Sequence, residues 1–171
     1  MHCDALFGVK PAEGDKGWKV GLPECGLNIC PGWGGTVLLP ARIEPATAIA
    51  ATMHGAPFDA AKPPRGLFEG VAADAAQATE AAIAWLKAHA RKVRRGEPRN
   101  ACEPAHVEGA RAAIPFVRPQ ASSVAAIAVI DAVNAGISGG FDAAVEREQQ
   151  HLVDLRHTPE ARAKLDAFLK R

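Results

Sequence analysis

The spacing of apolar and polar residues changes character along the chain. Residues 1–40 carry short apolar runs separated by Gly and Pro, the pattern of strands and tight turns. Ala5–Val9 predicts a short strand, Lys10–Lys19 a polar loop, and Leu22–Leu27 an extended or looped segment, because Pro23 steers Leu22 away from helical angles. From Gly34 the pattern becomes helical. Thr36 starts a helix reaching about Met53, limited or kinked by Pro40 or Pro45, and His54-Gly55-Ala56-Pro57 ends it. Phe58–Lys62 predicts a brief turn, Pro63-Pro64 a break, and Gly66–Val71 a short alternating strand. Asp74 or Thr79 then caps an Ala-rich helix over Ala75–Val93, with Ile83, Leu86 and Ala90 at helical spacing.

The last third reads as helices. Gln120–Asn134 is stopped by Ala135-Gly136. Phe141–Arg156 carries Val145, Leu152 and Leu155 on one side and Glu146, Glu148 and Gln149 on another. Thr158-Pro159-Glu160, a cap followed by proline at the first helical position, opens the final helix, whose Leu165, Phe168 and Leu169 are expected to form a buried stripe. The basic stretch Arg91–Arg99 lacks interleaved aromatics and reads as a solvated helix end or linker rather than a nucleic-acid patch.

With 171 residues, 48% of them hydrophobic, the chain is long enough for one sizeable core. A charged fraction of 23% and a net charge of +1 fit a globular protein with no general pull toward nucleic acid or anionic membrane. The richest apolar run, Val124–Ile130, is far shorter than the roughly 20 residues of a membrane span. Met1-His2-Cys3-Asp4 lacks the basic-then-apolar order of a secretory leader, so a cytoplasmic location is expected. Cys3, Cys25, Cys30 and Cys102 show no CxxC spacing and no adjacent His pair; reduced, partly buried thiols are expected, with no metal site and no disulfide framework.

Candidate chemistry concentrates in Gly21–Thr36. Here Glu24 sits on a proline-fixed segment among apolar residues, and the turn Pro31-Gly32-Trp33-Gly34-Gly35 feeds a helix. Desolvation raises the proton affinity of such a carboxylate and suits it to proton transfer. The turn matches neither a P-loop nor GxGxxG. His54 reads as a capping histidine and Asp59 as a turn residue.

Taken together, these residues resemble the enoyl-CoA hydratase/isomerase (crotonase) superfamily. The resemblance is carried by Gly21-Leu22-Pro23-Glu24, Pro31-Gly32-Trp33-Gly34-Gly35-Thr36 and Leu39-Pro40, then by Gly55–Ala60 and Gly66–Val71. The ending is similar to the family's terminal helices, from Glu146-Arg147-Glu148 through Pro159-Glu160-Ala161-Arg162 to Ala167-Phe168. It implies an α/β crotonase-like ββα spiral, helix-dominated, of which residues 1–100 form the C-terminal part of the core and 101–171 a helical region of the trimerisation type. It also implies an acyl-CoA substrate, with coenzyme A entering only as part of that substrate and no further cofactor. Glu24 corresponds to the glutamate that transfers a proton at the acyl chain, while Pro31, Gly32 and Trp33 border the acyl group. Lys170 and Arg171 fall where the family can place a cation near the CoA phosphates. Two backbone N–H groups of such enzymes stabilise the enolate-like charge. By the same resemblance those donors and a first glutamate precede Met1, so a truncated chain, weak or inactive alone, is expected. Homo-oligomers, trimers or hexamers, are implied for a complete form, with no nucleic-acid or membrane partner. A second possibility is a non-catalytic crotonase-like remnant or assembly partner.

Overall fold

A computed structural model describes residues 2–14, 16–89 and 103–170. The protein is a mixed α/β chain dominated by helix. Its contacts divide it into two units, one built from residues 1–20 and 58–99, the other from 21–57 and 100–171.

Among the described residues the first unit holds four short strands and one helix. Strand β1 (Phe7–Val9) pairs parallel with β4 (Gly70–Ala72), setting Phe7 opposite Gly70 and Val9 opposite Ala72. Strand β2 (Lys19–Val20) pairs antiparallel with β3 (Phe58–Asp59). Trp18 ties the pieces together. Its indole Nε1 donates to the Val9 carbonyl at 3.0 Å, and its ring meets Phe68 edge-on at 6.0 Å. Helix α3 (Ala75–His89) starts at Asp74, whose Oδ1 accepts from Gln77 N at 2.8 Å. None of its side chains is fully buried, and Ile83 and Leu86 stand exposed despite their helical spacing.

Three expectations shift here. The strand read at Gly66–Val71 forms at Gly70–Ala72, the turn at Phe58–Lys62 contains β3, and the polar loop ends in β2. Each follows from pairing with a distant segment, which a local pattern does not record. The stretch Arg91–Arg99, the helix end at Val93, Cys102 and Arg171 lie outside the described residues.

The second unit is helical. The single helix expected over Thr36–Met53 splits into α1 (Gly35–Leu38) and α2 (Pro45–His54). Proline tolerates the first helical turn and breaks a helix interior, so Pro45 begins α2 instead of interrupting it. Glu44 caps α2, accepting from Ala46 N at 2.9 Å and Thr47 N at 2.7 Å. Helix α4 (Pro104–Val117) and the long α5 (Val124–Leu155) supply small buried residues such as Ala110, Ala113, Ala125 and Ala128. These pack with Ile49, Met53, Val129 and Val133 in one core that also takes Cys25, Cys30 and Leu155.

Helix α5 is not one rod. Gly140 (φ 82°, ψ −167°) lies outside helical space. Asp131 bonds both Arg147 and His151, residues that a straight helix would hold roughly 24–30 Å away. The chain therefore doubles back at Gly140 into two arms, 124–139 and 141–155. By length and composition α5 has the hydropathy of a membrane span, but neither arm reaches the roughly 20 residues that one requires. The stop expected at Ala135-Gly136 is displaced to Gly140: Gly136 is buried inside the first arm, where an added Cβ would meet Val37 Cγ1 at 2.5 Å.

The last helix, α6 (Pro159–Leu169), begins as its sequence indicates, with Thr158 Oγ1 accepting from Ala161 N at 3.3 Å. Its expected buried stripe does not form. Phe168 is 56% exposed and Leu169 79%, while Ala161 is the buried residue. The helix is held through its first half, by Ala161 and by Lys164, while Phe168 and Leu169 of its last turn stay exposed.

Candidate functional site at the glycine turn

Pro23 leads into a 3-10 turn, Glu24–Leu27, closed by Asn28 in the left-handed region (φ 60°). Asn28 N donates to the Cys25 carbonyl at 3.1 Å and Ile29 N to the Glu24 carbonyl at 3.2 Å. Buried Cys25 and Cys30 anchor the two ends of this bend in the core. The C-terminus of α2 presses on it from one side. Gly55 takes φ 59° there, and a Cβ on it would lie 2.9 Å from the Pro23 carbonyl oxygen. From another side Lys164 Nζ donates to the Gly26 carbonyl and to Asn28 Oδ1, both at 3.1 Å.

So held, Glu24 is half-buried, and its Oε2 is buried without a hydrogen-bond partner. Burial pushes its carboxyl above the ordinary glutamate range. Its own backbone N–H opposes that, and the charge of Glu148 adds to it. The flanking thiols are raised too. Burial, reinforced by Glu24, pushes Cys25 up to about 12, and burial raises Cys30 as well. Both remain protonated at neutral pH, which makes them poor nucleophiles and poor metal ligands. Among the described residues no group of three His, Cys, Asp or Glu side chains could hold a metal ion.

The glycine turn is built against the second arm of α5. A Cβ at Gly32 would sit 2.7 Å from Leu152 Cδ2, and one at Gly34 (φ 85°) would sit 2.5 Å from Phe141 Cε2. Gly35 faces Leu22 equally closely, at 2.8 Å from its Cδ1. Only backbone fits in these gaps. Beneath the turn lies Glu148, 0% exposed, whose carboxylate accepts from Gly34 N at 2.5 Å and Thr36 N at 2.7 Å. Those N–H groups belong to the start of α1, where the helix itself offers no acceptor.

The residues singled out in the sequence are thus treated differently. Glu24 is brought beside the core with a free buried oxygen, Pro31 is buried, Gly32 is packed on Leu152, and Trp33 projects outward at 70% exposure. Lys170 is exposed at the far end of α6. His54 is exposed as the last residue of α2, and Asp59 accepts from Ala61 N at 2.9 Å. Glu148 is the correction. Its sequence pattern assigned it to a polar face, yet it shares the inward stripe of Val145, Leu152 and Leu155, at i+3, i+7 and i+10 from Val145. That spacing was the available signal.

No family model and no curated protein matches the chain. A carboxyl of raised proton affinity, with one oxygen buried and unpaired, can accept a proton from a carbon or oxygen acid and return it.

Proposed function

We propose that the chain is an enoyl-CoA hydratase/isomerase-like polypeptide of the crotonase type, cytoplasmic, acting on an unsaturated acyl-CoA thioester. On this reading residues 1–100 belong to a crotonase spiral core, the complete form is a homo-oligomer, and coenzyme A enters only with the substrate. Glu24 transfers the proton at the acyl carbons beside the thioester. Pro31, Gly32 and Trp33 border the acyl chain, and Lys170 with Arg171 meets the CoA phosphates. What supports this reading most is the unpaired, buried Oε2 of Glu24, on a bend fixed by Pro23 and Asn28. An ordinary surface glutamate would have both oxygens in water. The pattern Gly21-Leu22-Pro23-Glu24 followed by Pro31–Thr36 supports thioester chemistry for that acid through its resemblance to the crotonase superfamily.

A direct test follows the Glu24 side chain by carbon NMR in protein labelled at the glutamate carboxyl carbons, with Glu24→Gln assigning the signal. Crotonyl-CoA should shift that resonance saturably, while free coenzyme A should not. A Glu24 signal unmoved at millimolar thioester would overturn the assignment.

The exposure of Phe168 and Leu169 favours a second reading, a non-catalytic partner that joins crotonase-like subunits through α6. In that case sedimentation would show self-association or co-assembly that is lost in Phe168→Ser/Leu169→Ser, with no thioester response at Glu24.

A further inference from the structure

The fold of α5 upon itself creates a pocket of about 450 Å3 lined by none of the residues of the Glu24 bend or the glycine turn. Its apolar side is Ile127 and Ile130, and its polar side is Arg118, Asp131, Asn134 and His151. The size suits a small organic molecule. The charges decide which kind. Asp131 Oδ2 accepts from Arg147 Nη1 at 2.9 Å and from His151 Nε2 at 2.8 Å. Although partial burial pushes the Asp131 carboxyl up, the His151 hydrogen bond and the Arg147 guanidinium outweigh it and hold the carboxyl below its usual range. The one negative charge of the pocket is therefore already covered from the second arm. Arg118, in the 3-10 turn Arg118–Gln120 after α4, has no ion-pair partner among the described residues. Its guanidinium and the Asn134 amide are left as donors beside an isoleucine wall.

We propose that this pocket binds a small organic carboxylate with a short aliphatic body, its carboxylate on Arg118 and Asn134 and its chain against Ile127 and Ile130. A planar guanidinium matches a carboxylate in two-point fashion, and the apolar side removes the chain from water. Neither group alone accounts for the arrangement: an inorganic anion would leave the isoleucines unused, and a neutral amide would leave Arg118 unpaired. The inference does not depend on the acyl-thioester reading, since none of these residues belongs to the glycine turn.

The test titrates the 171-residue protein with hexanoate, hexanamide and inorganic phosphate, watching the His151 ring and Asn134 side-chain NMR signals. Hexanoate should shift both saturably, and hexanamide and phosphate should bind at least about tenfold more weakly. Arg118→Gln, a change at an exposed side chain, should weaken hexanoate by about tenfold or more while the unbound spectrum elsewhere stays the same. The proposal is overturned if hexanoate leaves both signals in place, if phosphate or hexanamide binds as tightly, or if Arg118→Gln binds hexanoate unchanged.

Discussion

Glu148 is bonded to Gly34 across 114 residues of sequence, its Oε2 accepting the glycine N–H at 2.5 Å while its Oε1 takes Thr36 N. A fully buried carboxylate thus stands in for the acceptors that the first turn of α1 lacks, and it joins the C-terminal helices to the turn beside Glu24. A buried charge is tolerated only where hydrogen bonds replace its water, and here two backbone donors do so.

Removing that charge should be costly. In Glu148→Gln one amide end presents N–H groups to a backbone N–H, so one bond is lost and a donor is left facing a donor. Urea unfolding at neutral pH should show a loss of about 2–4 kcal/mol. A change under about 0.5 kcal/mol would mean that the carboxylate does not hold the turn.

The close approach of α1 to the first arm of α5 is equally testable. Gly136→Ala introduces a Cβ 2.5 Å from Val37 Cγ1 and 3.2 Å from Ala144 Cβ, and overpacking of this kind costs roughly 1–3 kcal/mol. Ala is the better helix former by about 1 kcal/mol, so the single variant mixes two effects. The double-mutant cycle with Val37→Ala separates them. It should show a favourable coupling above about 0.5 kcal/mol, and simple additivity would remove the steric account.

Glu24 makes stability depend on pH with a definite sign. Its folded proton affinity is raised above the ordinary glutamate value of 4.5, so the native state binds more protons than the unfolded one just above that pH. Its favourable contribution is complete below pH about 4.5 and is lost as pH rises through the folded value. Glu24→Gln, neutral throughout, should therefore be more stable than wild type at pH 7, with the difference closing toward pH 4. Urea midpoints of the two proteins across that range check it, and a wild type that gains on the variant as pH rises would reverse the sign.

The thiols report on the same region. With Cys25 pushed up to about 12 and both Cys25 and Cys30 buried, iodoacetamide at pH 8 should leave them unmodified while it labels exposed Cys3. Peptide mass mapping before and after denaturation reads this directly. Rapid native labelling of Cys25 or Cys30 would show that the bend carrying Glu24 opens readily.

Several features of the site were visible in the chain itself. Pro23 and the glycines of Pro31–Gly35 mark the bend and the turn, and Glu24 stands out as an acid among apolar neighbours. Thr158-Pro159 marks the start of α6, and Asp74 was one of two candidate caps for α3, the other being Thr79. Glu148 was not visible as a clamp, because a glutamate on a helix ordinarily faces water. Its inward stripe acquires meaning only when the turn arrives to offer two N–H groups.

Local chemistry thus determined what neighbours within a few residues can enforce: caps, proline starts, glycine bends and the helical character of the C-terminal third. Tertiary structure decided which side of each helix has something to pack against. It folded α5 at Gly140 rather than stopping it at Gly136, left Phe168 and Leu169 uncovered, and paired Asp131 with His151 and Glu148 with Gly34. Those outcomes rest on contacts between segments far apart in the chain, whose energies depend on where the partner lies and not on the residues alone.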